Sequence, residues 1–207
     1  TKRVSTLFNK HDLTVVAVTG TVGKTSAKVA IATVLQAAGY KVGYSEDSYN
    51  SDIGLPLSVF GLKVPDRLGN ISGWRRILHE MDRMVDDFPY DVLVQEVAED
   101  DLELMLPFMR LIKPKLCVIT GVSLAHTARM QDIDKITSDI KTLIEPAQSI
   151  ICNVDFVELR DASLSPAATY ATQTKADVLL VATKRLPAGT LSADIALFGE
   201  KAQVKTQ

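Results

Sequence analysis

The sequence predicts an α/β fold: a mostly parallel sheet flanked by helices, with a small antiparallel strand extension at its C-terminal end. Three observations carry that expectation. Over the first 155 residues, short β-branched apolar runs alternate with helical patterns, the order that builds a parallel sheet. The first such run, Val15–Thr19, passes directly into Gly20-Thr21-Val22-Gly23-Lys24-Thr25-Ser26 and then into a helical pattern. After Asp155 the pattern weakens into short strands around Ala168–Ala171, Val178–Thr183 and Ala193–Phe198, spaced like antiparallel neighbours.

Each element has its own justification. Thr1–Asp12 is polar and without periodicity, so it reads as a linker and the domain is expected over residues 13–207. Lys24–Ala38 carries Val29, Ala30, Ile31, Val34 and Leu35 around most of its circumference, which predicts a helix covered on more than one side. Gly39 is placed to end it. Lys41–Tyr44 is a short second strand, followed by the polar turn residues Ser45–Asp52 and a helical segment from Ile53 to Phe60 with Pro56 in its first turn. The spacing of Trp74, Ile77, Leu78, Met81, Met84, Val85 and Phe88 predicts an amphipathic helix, with Ser72 as its cap and Pro89 as its stop.

Asp91–Glu96 is a strand that ends on a carboxylate. Asp100–Lys113 is helical, with Pro107 in its first turn or at a kink. Lys115–Thr120 is the next strand, Ser123–Asp132 a loop holding His126, and Asp132 the cap of a helix striped with Ile133, Ile136, Ile140, Leu143 and Ile144. Ser149–Asn153 is a fifth strand, and a short helix is expected near Phe156–Asp161.

The bulk composition bounds the function. The 207 residues are 46% hydrophobic and 23% charged with a net charge of −2, which suits one globular domain and argues against a nucleic-acid or anionic-membrane surface. Cys117 and Cys152 each lie in an apolar run without Cys-x-x-Cys spacing, so they are expected to be buried free thiols in a cytoplasmic protein. No run approaches membrane-spanning length.

The stretch Gly20–Ser26 is where chemistry enters. Between a strand and a helix, two glycines let backbone N–H groups turn towards an anion, and the helix adds its own N-terminal donors. Lys24 is placed to reach nucleotide phosphates and the Thr25 hydroxyl to bind Mg²⁺. The fold is therefore expected to be of the P-loop NTPase type, although Val18 stands where the usual Gly-x4-Gly-Lys pattern has its first glycine. In a parallel sheet, ligands collect beyond the carboxyl ends of the strands, which selects Asn50, Glu96, His126 and Asn153 for the same rim. Glu96 is either a Mg²⁺ ligand or a charge that emerges into solvent as its strand ends. His126 is either a metal or phosphate ligand or an ordinary loop histidine. Asn153-Val154-Asp155 is either an adenine-reading amide or an ordinary turn. Glu99, Asp100 and Asp101 are expected to start the next helix.

Together these residues resemble the central ATP-binding domain of the Mur ligase family. The matching pieces are Thr19–Ser26, Asn50–Leu57, Val94-Gln95-Glu96, Lys113-Pro114 ahead of Val118-Ile119-Thr120, His126 and Asn153-Val154-Asp155. The Ile53-Gly54-Leu55-Pro56 run is most similar to the branch that adds D-alanyl-D-alanine to the UDP-muramoyl tripeptide. The resemblance implies an ATP- and Mg²⁺-dependent ligase of peptidoglycan precursor synthesis that activates a carboxylate as an acyl phosphate. It implies phosphate binding by Gly20, Thr21, Val22, Gly23, Lys24, Thr25 and Ser26, and magnesium binding by Thr25, Glu96 and His126. Asn50 would lie beside the reacting phosphate, and Asn153 near the adenine.

Three features depart from the family pattern. Ser51 replaces the second asparagine of an Asn-Asn pair, and the Trp74–Phe88 helix is an insertion. Where the family has a carbamylated magnesium-binding lysine, this chain has Ile140, with Lys141 one step round the helix, so either the register slips by one or that ligand is absent. The family's substrate domain and its last domain are expected to be absent from these residues. The UDP-linked substrate would be read through those domains, so ligation by this segment alone is not expected. The alternative is a catalytically incomplete nucleotide-binding module with a regulatory or assembly role. A GTPase ranks last, because Asn153-Val154-Asp155-Phe156 stands where a guanine-reading Asn-Lys-x-Asp would be.

Overall fold

A computed structural model describes residues 1–47, 49, 51–123, 133–161, 164–185 and 191–205. Seven helices and nine strands are described: α1 (Lys2–Lys10), β1 (Thr14–Thr19), α2 (Lys24–Ala37), β2 (Val42–Tyr44), α3 (Gly54–Phe60), α4 (Ile71–Asp86), β3 (Val92–Glu96), α5 (Leu102–Ile112), β4 (Leu116–Ile119), α6 (Ile133–Ile144), β5 (Ile150–Asn153), α7 (Val157–Asp161), β6 (Ala168–Ala171), β7 (Val178–Arg185), β8 (Leu191–Leu197) and β9 (Glu200–Lys205). They form one sheet in the order β2-β3-β1-β4-β5-β6-β7-β8-β9. Pairing is parallel from β2 through β7 and antiparallel between β7, β8 and β9.

Because side chains alternate along a strand, the two faces of the sheet carry different cores. Val16 and Val18 of β1, Val92 and Val94 of β3 and Val118 of β4 face α2, against Ala32 and the partly buried Ala27, Ile31 and Leu35. Val15, Ala17, Leu93, Cys117 and Ile119 face the opposite way, into the larger core closed by α1, α3, α4, α5 and α6. The chain leaves β1 towards β2 on one side and later returns to β4 on the other, so β1 sits at the point where the strand order reverses.

Several expectations are corrected. Thr1–Asp12 is no unstructured linker. Its α1 segment places Val4 and Leu7 on one helical face with no exposed surface, while Arg3 and Lys10 reach Asp82 at 2.7 Å and Asp86 at 2.8 Å on α4. Three apolar residues in a polar stretch were too few to reveal the period. Helix α2 is covered on one side only: Val29 and Val34 are exposed, and the buried line is Lys28 and Ala32. The cap of α4 is Asn70, whose side-chain oxygen accepts the Gly73 N–H and the Ser72 hydroxyl. Pro107 lies inside α5, beyond its first turn. β6 and the β6–β7 pair are parallel, so the antiparallel part begins only after β7 and includes β9, which its polar sequence did not announce.

Other expectations hold. Ile136, Ile140, Leu143 and Ile144 of α6 are buried as a stripe; the expected cap Asp132 lies outside the described residues. Cys117 and Cys152 are buried and free, and burial pushes their thiols up to about 12 and about 11. Among the described residues no helix is long and apolar enough to cross a membrane.

The role of α1 is measurable. Leu7→Ala is expected to cost about 2–5 kcal/mol in urea unfolding, as for other buried leucines. Arg3→Ala, at an exposed ion pair, should cost under about 1 kcal/mol. A frayed linker would show no cost at either position.

Candidate functional site at the carboxyl ends of the strands

The site begins where β1 ends. Gly20 has φ +122° and Gly23 has φ +79°, conformations open to glycine. Gly20 is also walled in: a Cβ there would stand 2.5 Å from Thr120 Oγ1 and 2.7 Å from the Gly121 carbonyl oxygen. The close approach is used. The Thr21 N–H donates to the Gly121 carbonyl at 2.9 Å, and the Thr120 hydroxyl reaches the carbonyls of Val22 at 2.6 Å and Thr19 at 3.0 Å. The Ser123 N–H donates to the Thr21 hydroxyl at 2.6 Å. Residues 120–123 therefore clamp the loop from the β4 side, and Gly23 opens α2 from a left-handed cap position.

The charged groups sit on the other side, towards β3. Lys24 Nζ donates to the Gly20 carbonyl at 2.6 Å and pairs with Glu99 Oε2 at 3.0 Å, both side chains largely shielded. The Thr25 hydroxyl donates to Glu96 Oε2 at 3.1 Å. Lys28, with no exposed surface, pairs with the same Glu96 Oε2 at 3.1 Å and donates to the Asp47 carbonyl at 3.3 Å. The alternation along β3 explains this meeting. Val92, Val94 and Glu96 share the face turned to α2, and Lys24, Lys28 and Ala32 are one helical turn apart on α2. On the opposite face Gln95 donates to Ser58 Oγ at 2.7 Å, and Ser58 donates to the Leu55 carbonyl at 2.7 Å.

Gly20, Thr21, Val22, Gly23, Lys24, Thr25, Ser26 and Glu96 are thus brought together. Asn153, at the end of β5, joins the same rim through its amide N–H to the Thr120 carbonyl at 3.0 Å, while its oxygen accepts the Asp155 N–H at 3.0 Å. That amide is engaged as in an Asx turn. Asn50 and His126 lie outside the described residues. Ser51 accepts the Gly54 N–H at the start of α3. Of the carboxylates assigned to the next helix, Asp101 does cap α5 through the Leu104 N–H, but Glu99 turns to Lys24.

Asp155 fastens this corner of the sheet. Burial works against its charged form, yet donors from the Thr172 N–H and hydroxyl and the Gln173 and Thr174 N–H groups outweigh it and hold the carboxyl well below its usual range.

Lys28 and Glu99 escaped the sequence reading. The signal for Lys28 was a lysine four residues after Lys24 on the one face of α2 that also holds Ala32. Thr120 and Gly121 were visible only as the end of a strand.

Chemically, the loop and its neighbours offer an ammonium, a hydroxyl and a carboxylate within one small region. A separate cleft of about 630 Å³, lined by Val4, Leu55, Leu104 and Phe108, also carries Asp52 and Asp101. Its acidic lining suits a phosphate less well than the loop does. Among the described residues no three His, Cys, Asp or Glu side chains cluster as a metal cage. Thr25 and Glu96 are nevertheless hard oxygen donors side by side, which fits Mg²⁺ sharing its shell with phosphate and water.

Fold and loop together define a parallel α/β domain of the phosphate-loop type. The profile of the Mur ligase middle domain matches residues 18–206, and the chain belongs to that family. Among solved structures it is similar to the MurF ligase from Thermotoga maritima in complex with ADP: 18% identity, TM-score 0.72, over 98% of this chain and 42% of that one. MurF from Acinetobacter baumannii gives 16% identity and a TM-score of 0.71 over 98% and 40%. An FPGS–AMPPCP complex gives 18% and 0.61 over 99% and 56%. At these identities the likeness is one of fold. The chain spans about two fifths of the length of the MurF ligases. No curated protein sequence matches it.

The Asp155 anchor carries a pH signature. A carboxyl held below its ordinary value of 3.8 contributes stability above that pH and loses it as pH falls. Asp155→Asn should therefore lower the urea midpoint at pH 6 and narrow its drop between pH 6 and pH 3. An unchanged drop would show that Asp155 is no anchor.

Proposed function

We propose that this chain is the ATP- and Mg²⁺-binding central domain of an amide-forming ligase that activates a carboxylate as an acyl phosphate, in peptidoglycan precursor synthesis. The observation that carries the reading is the convergence of Lys24, Thr25 and Glu96 on a glycine loop clamped by residues 120–123. Such a transfer needs charge neutralisation and alignment more than covalent help from the protein.

Each residue has a part. The loop N–H groups and Lys24 bind the β- and γ-phosphates, and an incoming phosphate competes with Glu99 for the Lys24 ammonium. Thr25 and Glu96 hold Mg²⁺, which supplies neutralisation of phosphate charge. Asn50 and His126 belong beside the reacting phosphate, and Asn153 beside the adenine once its contact to Thr120 is exchanged. The carboxylate substrate, a UDP-linked muramoyl peptide or a similar acid, and the amine are read by other domains of the ligase, working in the cytoplasm. These 207 residues alone are expected to bind ATP without forming the amide.

A second reading, an incomplete nucleotide-binding module with a regulatory or assembly role, draws on one observation. Ile140 is fully buried in the core beneath α6, and Lys141 is exposed beside Thr137 and Ser138, near Val157 and Glu158 of α7. The metal-binding lysine of the family thus has no counterpart at position 140.

Calorimetry tests both readings. ATP with Mg²⁺ should bind the chain, and Lys24→Ala should weaken binding at least about tenfold, the worth of one charge-assisted hydrogen bond. No binding by the unaltered chain would refute the nucleotide site. If position 141 carries no ligand, Lys141→Ala should bind Mg²⁺–ATP within about twofold of the parent; a loss of about tenfold would restore it as a metal ligand and remove the case for an incomplete site.

A further inference from the structure

Among the described residues, the largest side chain without exposed surface is a lysine, and the functions above do not use it. Lys28 is buried on α2, one turn before Ala32, which packs in the core formed with Val16, Val18, Val42, Val92, Val94 and Val118. Methionine would fill the same volume with no ion to desolvate, so a charged group here needs specific partners. The structure supplies two. Nζ pairs with Glu96 Oε2 at 3.1 Å and donates to the Asp47 carbonyl at 3.3 Å. The first partner ends β3 and the second follows β2, two neighbouring parallel strands in which Tyr44 pairs with Val94.

We propose that Lys28 is a positioning residue: its ammonium fixes the Glu96 carboxylate towards the phosphate loop and ties it to the backbone that follows β2. The inference rests on reading Glu96 as a magnesium ligand. A carboxylate that keeps one oxygen on a buried ammonium turns about its last bond only by breaking that contact or carrying the ammonium along. Lys28 is held in turn by the Asp47 carbonyl, so the geometry of Glu96 and the conformation of residues 45–47 change together. Thr25, one turn earlier on α2, meets the same Oε2 atom at 3.1 Å. The helix therefore holds that carboxylate from two successive turns, by a hydroxyl at the mouth of the site and an ammonium beneath it. Ligand-supporting contacts of this kind typically change metal affinity about ten- to a hundredfold when removed.

The test compares Lys28→Met, Glu96→Gln and Lys28→Arg with the parent chain in two assays. One is ATP affinity by calorimetry with and without Mg²⁺. The other is amide hydrogen exchange in peptides spanning residues 42–53. Lys28→Met is expected to lose about tenfold in Mg²⁺-supported affinity, to stay within about twofold without Mg²⁺, and to exchange at least about threefold faster over 42–53. Glu96→Gln, which keeps an oxygen acceptor for Lys28, should lose the Mg²⁺ effect and leave exchange near the parent rate. Lys28→Arg, which keeps the charge, should recover part of both losses.

If either assay stays at the parent value in Lys28→Met, the inference is overturned: faster exchange alone is a structural role, and a metal effect alone removes the tie to residues 45–47. Should Lys28→Met fail to fold, Lys28→Gln is read in the same two assays by the same criteria. Absence of ATP binding by the parent chain overturns the nucleotide reading itself, before any variant is compared.

Discussion

A carboxylate at the tip of a buried strand is stable as an ion only where cations and donors meet it, and that constraint shapes this end of the molecule. Glu96 ends β3 with little exposed surface and faces α2 rather than the larger core. The helix opposite must therefore present polar groups for its first two turns, which Lys24, Thr25 and Lys28 do, before it returns to Ala32 and Leu35. Thin apolar packing on that face follows from the same demand. With Glu96 held, the start of α2 is fixed, and with it the glycine loop at the end of β1.

The opposite face works differently. It holds Phe60, Met105, Met109, Ile140 and Leu143 in a continuous apolar core, with Gln95 and Ser58 as a satisfied polar pair within it. This mass of packing carries the stability that lets the α2 side afford buried ions. Its reach extends to the chain start through α1. The loop is thus held between a rigid apolar slab behind and a pair of ion contacts in front, while residues 120–123 close it from the β4 side by backbone hydrogen bonds.

Much of this was legible in the sequence, for identifiable reasons. The glycine loop between strand and helix, the parallel alternation and the stripe of α6 are local patterns, and the loop glycines signal their own backbone conformations. Glu96 was legible because its strand is short and its end abrupt. Lys28 was not, since a lysine on a helix is almost always solvated and only the β3 register puts a carboxylate over it. Glu99 hid behind a run of acids that does begin a helix at Asp101. α1 was hidden because three apolar residues among charges form a face only when α4 supplies the partners Asp82 and Asp86. The parallel direction of β6 has no local signal; the contacts of Asp155 to Thr172 and of Asp177 to Thr169 flank that strand in the folded chain.

The ribbon of β7, β8 and β9 has a consequence of another sort. Most of β7 and all described residues of β9 are exposed, and Val181, Phe198 and Val204 pack against nothing extensive. Opening those strands uncovers less apolar surface than opening the strands around β1, the pattern expected of a segment that opens locally before the rest. The outer edge at β9 carries Glu200, Lys201 and Lys205, charges of the kind that discourage edge-to-edge stacking between copies. The molecule thus grades from a firm centre around β1 to a soft, charge-guarded margin, and a proteolytic nick at that margin would leave the phosphate loop intact.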